Sequence, residues 1–374
     1  MTAQDAAAAP ATLTPRPGVL DIAPYKGGES AAPGPNRVIK LSANENPYGA
    51  SPAAVEAFRA CADRLADYPD GGAAALREAI AAAEGLEADR IVCGAGSDEL
   101  ISLLCQAYAG PGDEVVHSRH GFLMYAISAR AAGATPVAAP ETDLTADVDA
   151  LLAACTERTR LVFLANPNNP TGTLLPASEV ARLADGLPPQ ALLCLDAAYA
   201  EYVTAEGYDP GAGLVASRGN VAMLRTFSKI HGLAALRLGW LYGPEAVVDV
   251  LNRVRGPFNV SAPAIAAGAA AVSDRAFAAE SAARNAELRG WLAARLAAAG
   301  APCTESHGNF LLAAFGAEGP ASAAEADAFL KSRGLIARRM EGYGLPERLR
   351  ITVGTAEACD AVADAVDAFR RERA

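Results

Sequence analysis

The chain has 374 residues, enough for about two domains and a large apolar core. Its 32 Lys and Arg stand against 43 Asp and Glu, a net charge of −11. That balance argues against nucleic-acid backbone or anionic lipid as a partner. The 34 Gly and 24 Pro are ordinary for this length and exclude a collagen-like chain or wholesale disorder.

The seven cysteines are odd in number, form no CxxC pair and sit mostly in apolar runs, which points to unbridged thiols in a reducing compartment. Four histidines without ligand spacing give no reason to expect a metal. The uncharged stretches 161–178 and 256–273 are interrupted by proline, and the second is rich in alanine, so neither suits a bilayer. The start of the chain carries Asp5 and no basic residue before Arg16, and it lacks the apolar core of a signal peptide. A cytoplasmic location is expected.

In chain order, residues 1–17 are Ala/Thr/Pro-rich and read as a flexible tail. Ser51 and Pro52 suit an N-cap and first turn, which predicts a helix to about Leu65. A second helix is predicted over 73–84, stopped by Gly85. Seven short apolar runs follow, at 90–93, 114–117, 135–138, 160–164, 191–195, 221–225 and 238–242. They alternate poorly between apolar and polar, so both faces are expected to be covered, as in a mainly parallel sheet. Helical stretches at 97–108, 123–132 and 177–185 lie between them. After about 255 the pattern changes to a long amphipathic stretch over 262–300, with Leu288, Leu292 and Leu296 four apart. Strands are predicted at 309–315 and 349–353, with helices at 321–332 and 355–372. The expected fold class is α/β: a large domain at 61–255 with a mainly parallel seven-stranded sheet, and a smaller α+β domain at 256–374 joined by an N-terminal arm at 18–60.

Ligands in open α/β sheets bind beyond the C-terminal ends of the strands. After the first run comes Gly94–Glu99, a turn whose small residues and helix start suit an anion, or simply a tight turn. Asn166–Gly172 follows the fourth run, where two prolines fix a loop that can present Asn169. Asp196 ends the fifth run and needs a donor partner or serves as a cap, with Tyr199 three residues on. After the sixth run come Thr226, Ser228 and Lys229, with Arg237 beyond them. Lys229 reads either as a surface lysine or as a Schiff-base amine activated by desolvation and positive neighbours. Together the four sites suit one ligand with a phosphate, a protonatable ring nitrogen and an aldehyde, which pyridoxal 5′-phosphate provides.

At these residues, and at the motifs LSANENPY (41–48), DYPD (67–70), NNPTG (168–172), TFSK (226–229), GYGLP (342–346) and LRITVG (349–354), the chain resembles the fold-type I pyridoxal-phosphate aminotransferases, and among them the histidinol-phosphate aminotransferase family. The resemblance runs from about residue 15 to the end. It implies that Lys229 bonds the cofactor and moves the proton between Cα and C4′, and that Asp196 pairs with the ring nitrogen. It further implies that Asn169 and Tyr199 bind the ring's 3′-oxygen and that Phe122 stacks on the ring. Gly96, Ser97, Thr226, Ser228 and Arg237 would hold the phosphate, with Asp98 beside them. Tyr68 would reach the cofactor phosphate of a neighbouring subunit, which implies a homodimer. Arg350 would bind the carboxylate of glutamate or 2-oxoglutarate, and Arg338 the phosphate of histidinol phosphate. Guanidinium forks suit both anions, so one pocket can accept each substrate in turn.

Two departures stand out: Ala197 where many relatives have glutamate, and Phe122 where they have tyrosine. An aromatic amino-acid aminotransferase and a threonine-phosphate decarboxylase share these cofactor residues and remain alternatives. A pyridoxal-phosphate-binding regulator is disfavoured by the acidic balance. A dinucleotide binder is disfavoured because Glu99 stands where the third glycine of G-x-G-x-x-G belongs.

Overall fold

A computed structural model describes residues 14–25, 27–31 and 37–373. Residues 1–13 of the expected tail lie outside that range. The strands, in chain order, are β1 (Ile39–Lys40), β2 (Ile91–Gly94), β3 (Glu114–Ser118), β4 (Thr135–Ala139), β5 (Glu141–Thr142), β6 (Thr145–Ala146), β7 (Thr159–Ala165), β8 (Leu192–Asp196), β9 (Val221–Thr226), β10 (Gly239–Tyr242), β11 (Phe310–Ala314), β12 (Leu335–Ile336), β13 (Arg338–Met340) and β14 (Leu345–Thr352).

The large sheet has seven strands in the order β2-β10-β9-β8-β7-β3-β4. These are the seven apolar runs of the sequence. All pairings are parallel except those of β10, which runs against both β2 and β9. Successive side chains point to opposite faces of a strand, and both faces are covered. Val162, Leu164, Leu193, Leu195, Val221 and Met223 join one apolar cluster, and Leu161, Phe163, Leu192, Cys194, Ala222 and Leu224 join another. Apart from the edge strand β4, where Thr135 and Ala138 are exposed, the faces are covered, and the polar chemistry of the site lies at the strand ends. Those of β2, β3, β7, β8 and β9, with the start of antiparallel β10, lie along one edge.

The second layer is the antiparallel sheet β11-β14-β13, packed on the helices Arg275–Ala298, Ala323–Ser332 and Ala356–Arg373. The N-terminal segment reaches it through β1, which pairs parallel with β12. Among the described residues no helix is long and apolar enough to cross a membrane, and no acidic, His and Cys cluster could hold a metal ion.

Two predicted helical stretches differ. The first helix spans Pro52–Arg59 and gives way to a separate turn at Ala62–Arg64, short of Leu65. The stretch 262–300 is two helices, Ala262–Ser273 and Arg275–Ala298. Asp274 breaks it: its side chain caps the second helix by accepting from Phe277 N–H at 3.1 Å. The first of the two helices packs into the core of the large sheet through Ile265, Ala267, Ala271 and Val272.

Gly239, the first residue of β10, lies against the next turn: a Cβ there would sit 2.4 Å from Ser97 N and 2.7 Å from Gly96 C. Backbone cannot yield as a side-chain tip does. We expect Gly239→Ala to lower the urea midpoint, at a cost of about 1–3 kcal/mol. An unchanged midpoint would contradict this close packing.

Candidate active site

The loops at the sheet edge and one face of β13 and β14 enclose a cavity of about 250 Å³. Of the site residues taken from the sequence, all line it except Gly96 and Tyr68. Gly96 stands directly behind the lining, and Tyr68 lies apart, 83% exposed and stacked on Phe258 with centroids 4.6 Å apart.

The floor is set by β8 and β9. Asp196 is the last residue of β8, and Lys229 follows β9 by three residues. The Asp196 carboxylate accepts from Tyr125 O–H at 2.7 Å and from Ala198 N–H at 3.2 Å. Burial, only partly offset by these donors, pushes its pKa up to about 6. The Lys229 ammonium donates to Ala43 O at 3.1 Å. Burial first, and then the Arg350 charge, push its pKa down to about 8. A lysine so placed keeps a larger neutral fraction near neutral pH than an ordinary lysine, and the neutral amine is the nucleophilic form.

One end of the cavity is a cup of donors. Gly96 adopts φ +90°, and a Cβ on it would lie 2.6 Å from Arg237 Nη2. Only glycine fits, because the backbone is left-handed and the guanidinium packs against it. Ser97 and Asp98 then open the helix Ser97–Tyr108, whose first turn carries unpaired N–H groups. Glu99 reaches back to accept from Ala95 N–H at 2.6 Å and holds the turn. Arg237 sits at φ +50°, costly for an L-residue by about 1 kcal/mol or more. Its guanidinium is anchored to Asp98 at 3.0 Å, Ala234 O at 3.1 Å and Ser228 Oγ at 3.4 Å.

The opposite end is cationic. Arg338 on β13 and Arg350 on β14 are direct cross-strand partners. Residues so paired share a face of the sheet, and both line the cavity. Arg350 donates to Asn169 Oδ1 at 2.5 Å and to Ser42 O at 2.8 Å. Arg338 lies over the Tyr25 ring, 5.5 Å from its centroid, and donates to the Tyr25 hydroxyl at 3.4 Å. The two like charges thus lie on one face of the sheet. The Asn166–Gly172 loop, whose Asn166–Pro167 and Asn169–Pro170 bonds are both cis, spans the two layers. Gly172 O accepts from His307 N–H at 2.9 Å on the far side.

Of the cavity residues that escaped the sequence reading, three make contacts that bear on the site. Asn44 donates to the Tyr199 hydroxyl at 2.9 Å. It belongs to the LSANENPY motif, which signals importance without a role. Tyr25 lies in a segment without apolar periodicity. Tyr125 sits inside a predicted helix and reads there as an ordinary core residue.

The sequence matches the family described as aminotransferase class I and II over residues 36–366. The chain belongs to that family. Within it, the chain is 59% identical over 362 residues to the histidinol-phosphate aminotransferase of Dinoroseobacter shibae, covering 97% of this chain and 99% of the relative. It is also 59% identical over 355 residues to that of Rhodospirillum rubrum, covering 95% and 96%. The crystal structure of histidinol-phosphate aminotransferase from Sinorhizobium meliloti in complex with pyridoxal-5'-phosphate superposes with a TM-score of 0.84 at 29% identity, over 90% of this chain and 92% of that one. Aspartate aminotransferase of Thermus thermophilus, at 21% identity and a TM-score of 0.79, shares the fold.

In this aminotransferase the neutral amine of Lys229 is the reactive form. We expect competitive acetylation of the apo-protein to label Lys229 with a midpoint near pH 8, since the amine is protonated and unreactive below its pKa of about 8. A midpoint above 10, that of an ordinary lysine, would contradict the burial of this group.

Proposed function

We propose that this chain is a histidinol-phosphate aminotransferase: it transfers an amino group between histidinol phosphate and 2-oxoglutarate, giving imidazole acetol phosphate and L-glutamate, with pyridoxal 5′-phosphate as cofactor. The observation that carries the reading is the Arg338–Arg350 pair on one face of β13 and β14, facing the cavity that holds Lys229. A substrate without a carboxylate but with a phosphate, exchanged against a dicarboxylate, needs two cations that accept either anion.

The residues fit the cofactor. The cup at Gly96–Asp98, Thr226, Ser228 and Arg237 offers hydroxyls, a helix start and a guanidinium for a phosphate. Lys229 brings an amine whose pKa burial lowers to about 8, so more of it is neutral near pH 7 than of an ordinary lysine. Asp196 has one donor on each oxygen and lone pairs left for a third. Pyridoxal phosphate, when bound, supplies an aldehyde carbon and an electron-withdrawing ring. Lys229 would hold the cofactor at that carbon, and its amine, once free of it, would be the base and acid for the substrate Cα proton. Asp196 holds the ring nitrogen protonated. Asn169 and Tyr199 orient the ring through its 3′-oxygen, and Phe122 covers its face. Arg350 takes the glutamate carboxylate and Arg338 the phosphate of histidinol phosphate. Both substrates use the same pocket in turn, so the kinetics are ping-pong.

Tyr68 belongs to a second copy's site in this reading. The exposed Leu65, Tyr68, Phe58 and Phe258 support a homodimer through that face. The seven unbridged cysteines support a reducing cytoplasm.

Lys229→Ala is expected to abolish turnover; transamination near the wild-type rate would sink the assignment. Single-turnover rates of the loaded enzyme should be highest with histidinol phosphate, against phenylalanine and threonine phosphate. Phenylalanine clearly fastest would make it an aromatic amino-acid aminotransferase instead. Arg338→Ala should raise KM for histidinol phosphate about tenfold or more, with a smaller effect on glutamate. Equal changes for both would remove Arg338 from phosphate recognition.

A further inference from the structure

Tyr125 has no part in the roles assigned above, yet its surroundings are those of a working group. It sits in the second position of the helix Met124–Ala132, fully buried. Its ring lies parallel to that of Phe163 on β7, with centroids 4.7 Å apart and planes 3° apart. It meets Phe122 edge-on at 5.9 Å, and its N–H donates to Phe122 O at 3.0 Å. The ring therefore has no freedom to swing. Its hydroxyl ends at Asp196 Oδ2, 2.7 Å away.

A carboxylate rotates easily about its last torsion, since terminal sp³–sp² torsions are broad. Asp196 is fixed against that by one donor on each oxygen, Ala198 N–H on Oδ1 and Tyr125 O–H on Oδ2. Of the two, the backbone N–H is the longer contact and belongs to the same turn as Asp196. The tyrosine comes from a different element and fixes the carboxylate plane relative to the sheet. A hydroxyl donor also favours the ionised form that a cationic ring nitrogen requires.

We propose that Tyr125 is a positioning residue for the reaction: through its hydroxyl it holds Asp196 in the orientation that pairs with the cofactor's ring nitrogen, while its ring fixes Phe122. This rests on the reading of Asp196 as the partner of that nitrogen. In this role Tyr125 acts through the aspartate.

The test compares apo-protein binding of pyridoxal 5′-phosphate with that of its 1-deaza analogue, in which a C–H replaces the ring nitrogen. Phosphate, aldehyde and ring face are the same in both, so the ratio of affinities isolates the nitrogen. Wild type should prefer pyridoxal phosphate, and Tyr125→Phe should reduce that preference about tenfold or more, with circular dichroism unchanged. In an Asp196→Asn background the same substitution should leave the ratio alone. If Tyr125→Phe weakens both ligands equally, or changes neither, Tyr125 is only a packing residue and the proposal is overturned. If wild type itself shows no preference, the role of Asp196 falls, and the failure lies in the functional reading beneath.

Discussion

Burial of a lysine and an aspartate at the ends of β8 and β9 is the constraint on which the rest of this molecule depends. Neither charge tolerates that place in its ordinary form: burial lowers the amine of Lys229 to about 8 and raises the carboxyl of Asp196 to about 6. The large sheet makes the burial possible. It has apolar layers on both faces, so its polar ends are the place where loops can close over a cavity. Around Lys229 and Asp196 the loops provide the donors and acceptors that such groups need, from Ala43 O to Tyr125 O–H.

The second layer supplies what the sheet edge lacks. Two arginines in direct register, on β13 and β14, face the floor from the other side. Arg350 is tied to Asn169 and to Ser42 O, and so couples both layers. The net charge of −11 thus conceals a local reversal. Arg237, Arg338, Arg350 and Lys229 gather in one cavity, where they outnumber the carboxylates of Glu45, Asp98 and Asp196.

Much of this is legible in the sequence, for physical reasons. Seven uninterrupted apolar runs identify strands covered on both faces, and all seven are in the large sheet. Residues at strand ends with unusual chemistry, Asp196, Asn169 and Lys229, stand out because apolar neighbours frame them. What stays hidden is whatever depends on distant partners. The register that pairs Arg338 with Arg350 leaves no local mark. The break at Asp274 is a single cap within an Ala-rich stretch that otherwise reads as one helix. Tyr125 is the clearest case: periodicity assigns it to a core, which is correct for its ring and silent about its hydroxyl.

The central claim is that Lys229 is the amine that bonds the cofactor. Borohydride reduction of the pyridoxal-phosphate-loaded protein, followed by peptide mass mapping, tests it directly. The account predicts one added phosphopyridoxyl mass per chain, at Lys229. Addition at another lysine, or none after reconstitution, would contradict it.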